Sequence, residues 1–113
     1  NGDGKNHIAM LFASVDGISK VGYYTGNGSA RTITTGFQPR FLIIRPSDDT
    51  DSWYVLDTTR GWGSGDDKIL QLNATSAQFV QDFGAPVSTG FSLPGAGGSF
   101  NNNSLNYIYY AHA

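Results

Sequence analysis

The sequence predicts an all-β fold, an antiparallel two-sheet β-sandwich of jelly-roll type with almost no helix. Three observations carry this. Short apolar or β-branched runs recur along the chain, each bounded by Gly, Pro, Asn, Asp or Ser, which gives eight or nine strands at regular spacing. All nine acidic residues are Asp and none is Glu, and no segment sustains a 3.6-residue apolar period, so the chain is poor in helix formers and helical pattern alike. Finally, Phe41-Leu42-Ile43-Ile44 lies between Pro39 and Pro46. A short apolar run closed by prolines suits a strand buried on both faces better than a helix. A parallel sheet would need crossover helices, and none is legible.

In chain order, residues 8–13 (IAMLFA) form a continuous apolar run, read as a buried strand. Val15-Asp16-Gly17 is a turn. Residues 20–25 (KVGYYT) and 30–35 (ARTITT) are strands, and the Gly26-Asn27-Gly28-Ser29 turn between them predicts a hairpin. In the second of these, Ala30, Thr32 and Thr34 share one face and Arg31, Ile33 and Thr35 the other. The 41–44 strand follows, then the acidic turn 47–52, the strand 53–57 with its bulky β-formers, and the turn Asp57-Thr58-Thr59-Arg60-Gly61. A Gly-rich loop at 61–67 leads to strands at 68–73 and 78–83, with Phe79, Gln81 and Phe83 on one face and one helical turn predicted at 74–77. A short strand at 90–93, a Gly- and Asn-rich loop at 96–104 and a last strand at 107–112 (YIYYAH) complete the chain.

The bulk properties bound the function. With 113 residues there is room for one core, and 39% hydrophobic residues suffice to fill it. Only 14% are charged, well below the roughly 25% of an average soluble protein. The resulting polar, uncharged surface suits an extracellular or virion protein. A net charge of -2 leaves no basic footprint for nucleic acid. The absence of cysteine excludes disulfide staples and thiolate chemistry, and no apolar run is long enough to insert as a membrane helix. The opening Asn1-Gly2-Asp3-Gly4 is expected to continue a longer polypeptide. The two ends also echo each other: Asn6, Ile8 and Ala13 match Asn106, Ile108 and Ala113. Two apolar strands can look alike by chance; the other reading is a repeat, with residues 1–14 echoing the end of an upstream module and 15–113 the β-sandwich module proper.

Taken together, Val21-Gly22-Tyr23-Tyr24-Thr25-Gly26-Asn27-Gly28, the segment 36–45 (GFQPRFLIIR), the segment 53–61 (WYVLDTTRG), Leu70-Gln71-Leu72-Asn73, Gly90-Phe91 and the terminal 107–113 (YIYYAHA) resemble a module of bacteriophage tail and tail-fibre proteins. That pattern runs "VGxYTGxG", "GFxPxFxxIK", "xWxVxDxxRG", "LxLN", "GF" and "YIxxAxA", and spans residues 7–113 here. The order and spacing of the motifs carry the resemblance, and Arg45 stands where the pattern usually has Lys. The resemblance implies a non-enzymatic virion module of a tail fibre or tail tip, binding a host receptor or surface glycan. The alternative is a purely structural fibre spacer or capsid decoration. It brings no catalytic residues with it.

Several residues invite a site. Asp48, Asp49 and Asp51 crowd one turn and are a candidate calcium loop, though without the EF-hand spacing and without a bidentate Glu they fit a solvated acidic turn as well. Calcium is the one cofactor these residues suggest. Asp66 and Asp67 carry the same two readings. Asp57 and Arg60 flank a turn and are read as an ion pair or, for Arg60, as a contact to an acidic sugar or phosphate. Trp62 lies between two glycines in a loop, where an indole serves a sugar ring, a subunit interface or packing. Trp62, Arg60, Asp66, Asp67 and Tyr54 together make the candidate ligand-binding set. His7 and His112 are too few for zinc. Tyr107 and Tyr109 share one face of the last strand and Tyr110 takes the other, so the tyrosines are a core layer or a partner surface. No Ser-His-Asp order, phosphate loop or singled-out carboxylate pair marks an enzyme. The terminal strands IAMLFA and YIYYAHA carry no internal Lys, Asp or Pro to blunt an exposed edge. Their cover is expected from other subunits, a homotrimer by analogy with fibres, from an adjacent module, or from mutual pairing of the two termini.

Overall fold

The structure is a computed structural model that describes residues 3–95 and 100–113. Its strands are β1 (Ser19–Thr25), β2 (Arg31–Thr34), β3 (Phe41–Pro46), β4 (Tyr54–Asp57), β5 (Asp67–Gln71), β6 (Phe79–Gln81), β7 (Pro86–Val87), β8 (Gly90–Leu93) and β9 (Asn106–His112). They build two antiparallel sheets, one of six strands in the order β1-β9-β3-β4-β5-β6 and one of three in the order β2-β8-β7. The predicted all-β, two-sheet class is the one observed. Of the predicted 96–104 loop, residues 96–99 lie outside the described residues, as do residues 1 and 2.

The core lies between the sheets. From the large sheet come Tyr24, Leu42, Ile44, Leu56, Tyr107 and Tyr109, and from the small one Phe91 and Leu93, all buried. Aromatic rings set its geometry: Tyr24 stacks on Tyr107 at 5.1 Å, and Phe91 meets Tyr109 edge-on at 5.2 Å. Phe79 and Phe83 share a face, as the alternation predicts, and close the β6 end. The alternation of β2 also holds, with Thr32 and Thr34 exposed and Ile33 against the core.

Four expectations need correction. The strands β1 and β2 are not a hairpin, because they belong to different sheets. The segment between them is pulled across the sandwich by Asn101, whose Oδ1 accepts from the Asn27 amide at 3.0 Å and whose Nδ2 donates to the Ser29 carbonyl at 2.7 Å. A Cβ on Gly26 would lie 2.1 Å from the Asn102 carbonyl oxygen, so only glycine allows this approach. The helical turn at 74–77 is absent, and the one short helix among the described residues is a 3-10 turn at Thr58–Arg60. Asp57 caps it by accepting from the Thr59 amide at 2.7 Å, and Gly61 closes it. Residues 8–13 are neither a strand nor buried; Ile8 is 97% and Leu11 95% exposed. The termini therefore do not pair, and β9 lies inside its sheet between β1 and β3, leaving β1 and β6 as the edges.

Candidate functional site

The residues singled out in the sequence do not converge on one site. Trp62 is 3% exposed, and its indole N–H donates to the Gly84 carbonyl at 2.8 Å. Its neighbouring glycines admit the chain to the core rather than expose the ring, so packing wins over sugar stacking. Gly84 itself has φ 92° and would place a Cβ 2.0 Å from the Ser92 carbonyl oxygen, which fixes glycine as the partner of the indole. Asp67 is 0% exposed, accepting from the Gly63 amide at 2.8 Å and the Phe83 amide at 2.9 Å. Burial raises its pKa, the two amide bonds pull it back, and Asp82 and Asp66 push it further up. It ties the 61–67 loop to the end of β6. Tyr54 is buried, and its hydroxyl donates to Asp51 Oδ1 at 2.7 Å. Burial, helped by the Asp51 carboxylate, pushes its phenol up to about 12.

Arg60 and Asp66 are exposed. Arg60 does not pair with Asp57; its guanidinium donates to the Gln78 side-chain oxygen. Asp57 instead meets Arg40 at 3.4 Å, an exposed contact of small energetic weight. A shallow polar hollow of about 230 Å³ opens nearby, walled by Gly63, Gly65, Asp82, Gly84, Ser92 and Pro94. None of Arg60, Trp62 or Asp66 lines it.

In the acidic turn each carboxylate has its own local task. Asp48 accepts from the backbone amide of Asn106 at 3.0 Å and from its side chain at 2.7 Å, anchoring the turn to β9. Those bonds, with one from Ser47, hold its pKa below the ordinary carboxylate value, the Asn106 amide first among them. Asp49 Oδ1 accepts from the Thr50 amide, and Asp51 Oδ1 from Ser52 and Tyr54. The three point to separate partners, and among the described residues no three acidic or histidine side chains gather as metal ligands.

The structure draws attention to a surface the sequence reading did not single out, the outer face of the six-stranded sheet. Register places Val21, Tyr110, Ile43, Val55 and Leu70 opposite one another across β1, β9, β3, β4 and β5. Ile43 and Val55 are buried yet stand outside the core cluster, so their cover comes from the outer side. Part of it is the N-terminal segment. Ser19 Oγ donates to the Ala13 carbonyl at 2.8 Å and Ser14 Oγ accepts from the Val21 amide at 3.0 Å, fastening its base to the β1 edge. Beyond that clip Phe12 packs on Tyr110 with ring centroids 4.3 Å apart. Met10, Phe12, Trp53, Leu72, Ile108 and Tyr110 line an apolar groove of about 350 Å³. Its signal in the sequence was the unbroken apolar run of 8–13 and the apolar residues at the outward positions of β1, β3 and β9. A buried-strand reading absorbed both.

Residues 1–113 match the pattern of DUF7483, a domain of unknown function, and the chain belongs to that family. No curated protein and no solved structure matches it.

Proposed function

We propose that this domain is a non-enzymatic structural module of a bacteriophage tail fibre or tail tip, one that works through protein contact rather than through a ligand pocket. The ordered motifs from residue 7 to 113 support the virion setting. The observation that carries the mode of action is the apolar outer face. An uncharged groove walled by Met10, Phe12, Trp53 and Tyr110 has the chemistry of a protein interface, where aromatic residues and Met are enriched and charge is depleted. The residues proposed for a receptor site are spent otherwise: Trp62, Asp67 and Tyr54 hold the fold together, and Arg60 and Asp66 line neither the aromatic groove nor the polar hollow. Assembly as a trimer is the expectation the fibre resemblance adds.

Adsorption to whole cells, a glycan panel and incubation with envelope material test this reading. The expected outcome is no saturable binding and no release of sugars or peptides. Saturable binding that Arg60→Ala removes would reinstate the receptor-binding role. Arg60 suits that test because it is exposed, whereas truncating Trp62 would damage the core.

A further inference from the structure

We infer that the outer face of the six-stranded sheet and the 8–12 arm together form the contact through which one copy of this chain binds another. The inference rests on the structural-module reading and gives it a surface and a partner.

The arm comes first. Among the described residues, no hydrogen bond ties the backbone of residues 5–12 to the rest of the chain; the first fastened groups are the Ala13 carbonyl and the Ser14 hydroxyl. Met10 and Phe12 turn toward the sheet, while Ile8 and Leu11 stand bare. An apolar segment with one side on its own sheet and the other in water covers half of what it could. Its unpaired backbone is free to add to a strand edge of another copy; along β1 the Ser19 and Val21 amides are already taken by the chain's own residues 14 and 15.

Size comes next. Ile8, Met10, Leu11, Tyr23, Leu72 and Ile108, with their neighbours Phe12 and Val21, are all exposed large apolar side chains. At ordinary side-chain areas they present roughly 900 Å², more than the few hundred Å² a monomer commonly leaves bare and close to the approximately 800 Å² each partner gives to a standard interface.

Charge selects the partner. In a contact between two copies residue i of one meets residue j of the other, so only groups near the symmetry axis meet their like, and a face whose centre is uncharged has no such cost. Along the Val21-to-Leu70 row there is no ionisable group other than the Tyr110 phenol. Of the two adjoining rows, one carries Arg45, which donates to the Pro46 and Asp49 carbonyls and lies over the Trp53 ring at 5.2 Å, and the other carries His112 and Asp57, the latter paired with Arg40. The centre of the face therefore suits a second copy of this chain better than a strongly acidic or basic partner.

Light scattering on the full chain at high micromolar concentration tests the contact. The wild type is expected at two or more times the 12.1 kDa chain mass. Leu11→Asp and Ile108→Lys are expected to weaken self-association by at least about tenfold. Thr32→Asp, on the exposed side of β2, should leave the mass unchanged. Leu11 is bare in the single chain, so its substitution cannot act by unfolding it, and circular dichroism checks Ile108→Lys for fold. A wild type that stays at one chain mass overturns the inference, as does an oligomer that both variants leave intact. Neither result touches the absence of glycan binding and turnover, so the contact can fail while the structural-module reading stands, and the reverse.

Discussion

A buried carboxylate is costly unless its oxygens are satisfied, and Asp67 shows both sides of that rule. Its two oxygens serve one backbone amide each, from Gly63 and Phe83. Its pKa lies above the ordinary 3.8, first because of burial. Stability from this group is therefore full below the ordinary value and is lost as pH rises through the folded-state pKa. Asp67→Asn keeps the shape but offers one acceptor and one NH₂, so one of the two amides faces a donor. The variant is expected to lose about 1–3 kcal/mol at neutral pH, read by urea denaturation. The gap to wild type should widen as pH falls into the carboxylate range, because only the wild type gains there; parallel profiles would refute the linkage. Trp62→Phe makes a milder change, keeping the ring in place while leaving the Gly84 carbonyl without its donor. A loss of about 1 kcal/mol follows, with no change in secondary structure.

At the scale of elements, local pattern decided what was legible. Strands β3, β4 and β9 were readable because their alternation and their flanking prolines and turns are local facts, and so was the burial of Leu42 and Ile44. The path from β1 to β2 was not, because it depends on which asparagine of Asn101-Asn102-Asn103 turns inward. Asn101 is the buried one, bonded to Asn27, Ser29 and Pro94. In sequence the three are alike, and a Gly-Asn-Gly turn reads as a hairpin whichever sheet receives the next strand. Trp62 misled for a related reason: glycines beside an indole signal a loop, but not whether that loop folds inward. Asn101→Ala, which leaves one amide and two carbonyls without partners, is expected to cost about 2–4 kcal/mol. Asn101→Asp should cost more, since it turns a carboxylate oxygen toward the Ser29 and Pro94 carbonyls. Thermal unfolding of the two variants side by side gives the order, and an Asp variant at least as stable as the Ala variant would contradict these contacts.

Across the whole molecule, the two sheets are joined by tyrosines rather than by aliphatic packing alone. Tyr24, Tyr107 and Tyr109 enter the space between the sheets, and Tyr54 closes the side toward Phe83 and Phe100. Three of the hydroxyls are placed, with Tyr24 donating to the Phe100 carbonyl at 2.6 Å, Tyr54 donating to Asp51 at 2.7 Å and Tyr107 accepting from the Asn102 amide at 3.1 Å. Burial, the leading cause in every case, raises all four phenols above the ordinary 10.0. For Tyr24 the neighbouring Tyr107 adds to the rise, while Arg31, whose guanidinium lies 5.1 Å over the ring, opposes it. A raised folded-state pKa means the stability is whole below pH 10.0 and drains away as pH climbs through the folded values. The sandwich is therefore expected to open in alkali, with tyrosinate absorbance and loss of the β signal in circular dichroism rising together. Tyr24→Phe separates the hydroxyl from the ring. At neutral pH the variant should be less stable by about 1 kcal/mol, for the lost bond to Phe100. Above pH 10.0 the wild type alone carries the cost of keeping that phenol protonated, so the two stabilities should converge. A gap that stays constant through the alkaline range would show that Tyr24 does not couple the closing of the two sheets to its proton.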